Sequence, residues 1–171
     1  MFSTELTGAP QLEMYFDGLP DALNAAIERG LERATELLRS AATGMAQSPL
    51  GASVPGGLGE FARSVRGEVR RGRQGAAGHV FLAPPADQYG MFVETGSAPH
   101  FPPPGALAGW VRRRLGISNE KQVREIAFLI GRKISRQGTE GHHIFERTLR
   151  ENEQRVLAIL DEEVSRVLEA A

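Results

Sequence analysis

Between Leu19 and Met45 the apolar side chains fall at Leu19, Leu23, Ile27, Leu31, Ala34, Leu38, Ala41 and Met45. Steps of three and four place them on one helical stripe. The spacing predicts about six or seven turns, with Pro20 supplying the pre-set φ of a first-turn residue. The period then fails: "GMAQSPLGASVPGGLG", Gly44–Gly59, holds two prolines and five glycines and reads as a turn or mobile loop. From Phe61 a shorter pattern begins, with Phe61, Val65 and Val69 on one side and Ser64, Arg66, Glu68 and Arg70 on the other. Steps of four suit a helix as well as a strand. Gly67, a Gly-containing turn and the apolar run "HVFLA" favour a β-hairpin.

Further on, Leu107, Trp110, Val111 and Leu115 share a helical face, and Gly116 is placed to stop that helix. Asn119 with Gln122 three residues later is a capping-box variant. It opens a helix whose Val123, Ile126, Ala127, Ile130 and Ile134 face inward, and Gly138 ends it. Phe145, Leu149, Val156, Leu160, Val164, Val167 and Leu168 then mark a long amphipathic helix to the C-terminus. The expected fold is α+β: long N- and C-terminal amphipathic helices packed on a small antiparallel β-sheet, with two shorter helices inserted after a proline-rich loop. Trp110, Phe145 and Leu149 are the expected core anchors. A chain of 171 residues suits one domain, 1–171, with a flexible loop at about 44–60 and the proline-rich loop and helical insertion at about 95–138.

Composition narrows the function classes. At 41% hydrophobic and 24% charged residues the chain is not a disordered one. The absence of cysteine removes disulfides, thiolate metal sites and thiol nucleophiles. No apolar run approaches the roughly 20 residues that cross a bilayer, and "MFSTELTGAPQLEMYF" lacks the regions of a signal peptide. A soluble, unexported protein, made in the cytoplasm and without membrane contact, is expected. Net charge is −1, but residues 1–47 carry three basic and seven acidic side chains, 61–75 five and one, 111–136 eight and two, and 140–171 four and eight. Acidic ends bracket a basic middle, as in proteins that meet nucleic acid or in subunits that meet acidic face to basic face.

Catalytic signatures are missing: there is no Walker-type glycine cradle, no G-x-S-x-G elbow and no H-E-x-x-H helix. The sharpest metal hypothesis uses His142, His143 and Glu146: His143 and Glu146, three apart, share a face of a helix, and His100 from the proline loop would supply a third ligand. The simpler reading is a helix start, where Glu146 in the first turn is favoured by the helix dipole. Neither a metal, a cofactor nor a catalytic residue is expected, and the chain reads as a non-enzyme. Glu94, beside aromatic neighbours, draws notice as a lone carboxylate of the kind that serves in catalysis; an ion pair with an arginine of the same or a neighbouring subunit is the plainer role. Arg66, Arg70, Arg71, Arg73, Arg112, Arg113 and Arg114 are candidates for a basic surface or channel lining, since arginines attract phosphates without regard to sequence. None of the standard recognition modules is present.

Two segments carry more than pattern. "YGMFVETGSAPH", Tyr89–His100, is similar to an aromatic-small-x-aromatic-x-Glu-x-Gly-Ser/Thr pattern, and "RQGTEGHHIFERTL", Arg136–Leu149, to a Gly-Thr-x-Gly-x-x-Phe-Phe segment. Both patterns belong to the tail-completion or head–tail joining proteins, minor tail components of long-tailed phages, prophages and gene-transfer particles. The order of elements from about Leu19 to Leu168 resembles that family too, with Ile144 where an aromatic is commoner. The resemblance implies a structural protein of the virion neck that completes the tail and joins it to the head. It implies a ring of six-fold symmetry, with head-connector and tail-tube or tail-terminator proteins as neighbours and genomic DNA passing through the channel. A sequence-independent DNA-binding accessory protein is the alternative. Tyr89, Phe92, Glu94, Gly96, His100, Phe101, Pro102, Pro103 and Pro104 are then candidates for subunit contact or loop anchoring. The prolines fix φ and lack N–H donors, which keeps that stretch stiff and extended.

Overall fold

The computed structural model describes residues 3–6, 21–47, 58–72, 75–103, 105 and 107–169. Its elements run β1 (Ser3–Leu6), α1 (Asp21–Gln47), α2 (Leu58–Ser64), β2 (Val65–Gly72), β3 (Gly75–Leu82), a 3₁₀ turn (Ala86–Gln88), α3 (Gly90–Thr95), β4 (Gly96–Ser97), α4 (Ala108–Leu115), α5 (Glu120–Gln137), β5 (Thr139–Glu140) and α6 (Ile144–Glu169). The fold is α+β, with the two long helices α1 and α6 packed together and α1 laid on an antiparallel sheet of order β1-β3-β2. Among the described residues no helix is long and apolar enough to cross a membrane.

The helices α1 and α6 run antiparallel, because Arg29 and Arg33 near the start of α1 bond Glu162 and Glu163 near the end of α6, while Thr148 reaches Met45. Their crossing is close. A Cβ on Gly30 would stand 2.8 Å from Leu160 Cδ2 and 3.5 Å from Leu160 Cα. This closeness corrects the stripe expected for α1. Its deepest positions are Ala26, Gly30, Ala34, Leu38, Ala42 and Ala46, with Leu23, Ile27, Ala41 and Met45 only half-buried. Small side chains take the interior line because they alone let the backbones approach. Thr35 lies over Gly67 and Gly78 of the sheet for the same reason.

Val65, Gly67 and Val69 pair with Leu82, Val80 and Gly78, so alternation turns this set toward α1 and sends Arg66, Glu68 and Arg70 to the other face. The hairpin therefore stands from Val65 onward. Phe61–Ser64 does not belong to it: these residues form α2, where the Ser64 hydroxyl donates to Glu60 O at 2.8 Å. The four-residue steps there are helical, and the strand period begins only at Val65. The helices also shorten the expected loop at 44–60 from both sides, since α1 continues to Gln47 and α2 begins at Leu58; residues 48–57, like Leu19 and Pro20, lie outside the described ones. Strand β1, which pairs Ser3–Leu6 with Phe81–Gly78, was not foreseen.

The main apolar cluster gathers Leu38, Phe61, Val65, Val80, Leu82, Val93, Phe145 and Val156, with Leu149 and Tyr89 packed against it. Phe61 and Phe145 meet with ring centroids 6.3 Å apart, tilted by 48°, a favourable aromatic arrangement. Phe145 and Leu149 thus hold the places expected of them. Trp110 does not: it is half-buried, and its neighbour Val111 takes the fully buried position on α4.

Candidate functional site

The two distinctive segments, Tyr89–His100 and Arg136–Leu149, meet. Gly96 and Ser97 pair antiparallel with Glu140 and Thr139, the Ser97 and Thr139 hydroxyls lie 3.0 Å apart, and the His142 and His143 N–H groups donate to Val93 O and Glu94 O at 2.8 and 3.1 Å. Three glycines make this clasp possible. A Cβ on Gly96 would run into Thr139 O, one on Gly138 into Ser97 O, and one on Gly141 into Glu94 O. Gly96 and Gly138 also have φ of 79° and 70°, a region other residues avoid.

Glu94 is the polar centre of the clasp. Its residue is 3% exposed, and its carboxylate accepts from Phe145 N (3.0 and 3.2 Å) and Glu146 N (3.1 Å). These are the second and third N–H groups of α6, the ones that a capping side chain normally satisfies. The residue at the cap position, His143, has φ of 49° and bonds its own ring to Glu146 at 2.9 Å. The cap therefore comes from a segment fifty-one positions away, and the negative charge sits at the positive end of the helix dipole. This corrects the expectation of an ion pair within the chain: among the described residues Glu94 has no arginine partner, and backbone donors occupy both its oxygens.

Residues 98–138 leave the clasp at Ser97 and return at Thr139. They form an arm containing α4 and α5, which make their principal contacts with each other. Val111 and Val123, one on each helix, are fully buried outside the main cluster. Asn119 caps α5 by accepting from Lys121 N and Gln122 N at 3.0 and 3.2 Å, Gly116 at φ 65° closes α4, and Arg112 joins Glu120 across the turn at 2.8 and 2.9 Å. Of the α5 positions expected to face inward only Val123 is fully buried; Ile126, Ala127, Ile130 and Ile134 are half-buried, since little besides α4 covers them.

The expected anchors divide. Tyr89 is half-buried, its hydroxyl 3.5 Å from Glu60; burial, then the nearby Glu60 charge, pushes its pKa up to about 12. Pro102 is buried and Phe101 lies against Gly131 and Phe128, the two rings 6.1 Å apart. Phe92 is exposed on α3, which turns Val93 and Glu94 inward instead. Pro103 is exposed, and Phe101–Pro103 form neither helix nor strand. Pro104 and Arg73 lie outside the described residues.

Among the described residues no three His, Asp or Glu side chains gather as metal ligands. His100 stays with its own loop, bonding Ala98 O at 3.0 Å, apart from the His143–Glu146 pair. The basic candidates are largely engaged. Arg70 bonds Glu68, Arg71 ties β2 to α1 through Glu28 at 2.7 and 2.6 Å, Arg112 holds Glu120, and Arg66 donates to Arg63 O and Val65 O. Arg113 and Arg114 alone among the described candidates are exposed with no such bond.

No family model, curated protein or solved structure gives a significant match to the chain.

The sequence drew attention to both segments without showing that they touch. The signal available was the pair of glycine-bearing strings "ETGS" and "GTEG", whose glycines mark close backbone approach. Phe128 and Leu129 were not singled out, although they fall outside the inward-facing set of α5 and are exposed in the structure.

Proposed function

We propose that the chain is a structural protein of the neck of a long-tailed phage, prophage or related particle, a ring subunit that completes the tail and joins it to the head. The observation that carries this reading is the clasp. The two segments that resemble the tail-completion family lie far apart in sequence, yet each supplies what the other lacks: a carboxylate from Glu94, and the helix start from Phe145 and Glu146 that it caps. Motifs that are structurally complementary in this way are expected of a shared architecture, whereas chance similarities have no reason to meet.

The rest of the geometry suits a connector better than a catalyst. The polar chemistry of the two segments is spent on holding backbone together, and the arm presents aromatic and basic side chains outward. The six-fold ring, the head-connector and tail neighbours and the location in the virion follow from the same resemblance. Arg113 and Arg114, exposed and unpaired, favour a second reading in which the arm contacts DNA through its phosphates.

Electron microscopy of particles made after deleting the gene from its phage or prophage tests the reading. Separate full heads and tails, or tails with abnormal ends, are the expected outcome. Intact infectious particles would overturn it, and a gel-shift series whose affinity falls with salt would then support the DNA reading.

A further inference from the structure

The outer face of α5 carries an apolar pair inside a basic frame. Phe128 and Leu129 are 57% and 60% exposed, and Arg124, Arg132 and Arg136 lie around them at helical steps of three and four. The single acidic side chain within this stripe is Glu125, so the frame remains positive. On α6 the pattern has the opposite sign: Leu157 and Leu168 are 54% and 63% exposed, and Glu153 and Asp161 share their stripe. None of these five framing charges, Arg124, Arg132, Arg136, Glu153 and Asp161, has an ion-pair partner among the described residues. Elsewhere on α1 and α6 charges are paired densely, as in the Arg29, Arg33 and Arg166 set around Glu163. The two unpaired stripes are also commensurate, about 18 Å from Arg124 to Arg136 and about 22 Å from Glu153 to Leu168 at the helical rise.

We propose that these faces bind one another between copies, the apolar-basic stripe of α5 in one chain seating on the apolar-acidic stripe of α6 in the next. Each face lacks in charge what the other has in excess, and each exposes apolar side chains that association would remove from water. Where each stripe engages a different copy the contact is heterologous, and repeating it produces a closed ring or a filament; two such contacts made reciprocally between the same two copies would close a two-fold dimer instead. The biological setting rests on the neck reading, but the contact belongs to the chain and is testable on the pure protein.

The absence of cysteine makes the test direct. Full-length Leu129→Cys and Leu157→Cys chains, each with a single thiol, are mixed at high protein concentration under mild oxidation, with Asp87→Cys as an exposed control. Disulfide formation several-fold faster in the mixed pair than in either variant alone, and slowed by added salt, is the expected result. Arg132→Glu on the first chain should slow the trapping several-fold, and Asp161→Arg on the second should restore it, a rescue that mere damage to folding would not give. Faster pairing of Leu129→Cys with itself, or mixed trapping no faster than the Asp87→Cys control, would overturn the proposal. The two readings fail separately: mixed trapping with a harmless gene deletion removes the neck role and leaves the contact, whereas defective particles without mixed trapping remove the contact and leave the role.

Discussion

At the scale of single residues, Glu94 shows how a charged side chain can be buried and still be a stabilising feature. A carboxylate removed from water loses several kcal/mol of hydration unless donors replace the water, and two backbone N–H groups of α6 do so. Glu94→Ala would leave those donors without a partner in the interior. We expect a loss of about 2–3 kcal/mol, read as a lowered urea midpoint, and Glu94→Gln should recover part of it through its carbonyl oxygen. If Glu94→Ala melts with the wild type, the cap is not what holds α6 to the clasp. The sequence made Glu94 conspicuous but pointed to the wrong partner, because a carboxylate among arginines suggests an ion pair and nothing local reveals a helix start fifty-one residues away.

At the scale of elements, α1 and α6 are joined by a buried line of small side chains and a polar cluster at one end. Glu163 lies among Arg33, Arg29 and Arg166, and the hydrogen bond from Arg33, followed by those other arginines, holds its carboxyl below the ordinary range against the opposing pull of burial. A carboxylate with a depressed folded pKa contributes its stability above the unfolded value and loses it as pH falls through the folded one. Glu163→Gln should therefore lower the melting temperature at neutral pH, with the gap to the wild type closing as the pH is taken below about 4.5, the ordinary carboxyl value. A gap unchanged across that range would remove the ion cluster as its source. Long periodic elements such as α1, α5 and α6 were legible in the sequence, as were the Asn119 cap and the Gly116 and Gly138 stops. What period could not show was which side of α1 lies deepest, since Ala26, Gly30 and Ala42 become interior only because another backbone comes near. The four residues of β1 gave too short a pattern to read, and Phe61–Ser64 fitted both periods.

At the scale of the whole molecule, the clasp brings the two ends of the arm side by side in an antiparallel pair, Ser97 opposite Thr139. That geometry is the one a two-residue turn completes. Replacing residues 98–138 by Asn-Gly should leave a body of α1, the three-stranded sheet and α6 that melts in one cooperative transition. A body that fails to fold would mean that the arm supports the clasp rather than hanging from it. The shortened chain should also be unable to trap its neighbour through α5. Strand pairing sets the gap at about 4.8 Å whatever lies between, and the entropy of a longer bridge grows only with the logarithm of its length. The arm is thus a socketed insert: it can be lengthened, shortened or exchanged with little penalty to the body, leaving its outward chemistry and the soundness of the fold free to vary in separate parts of one gene.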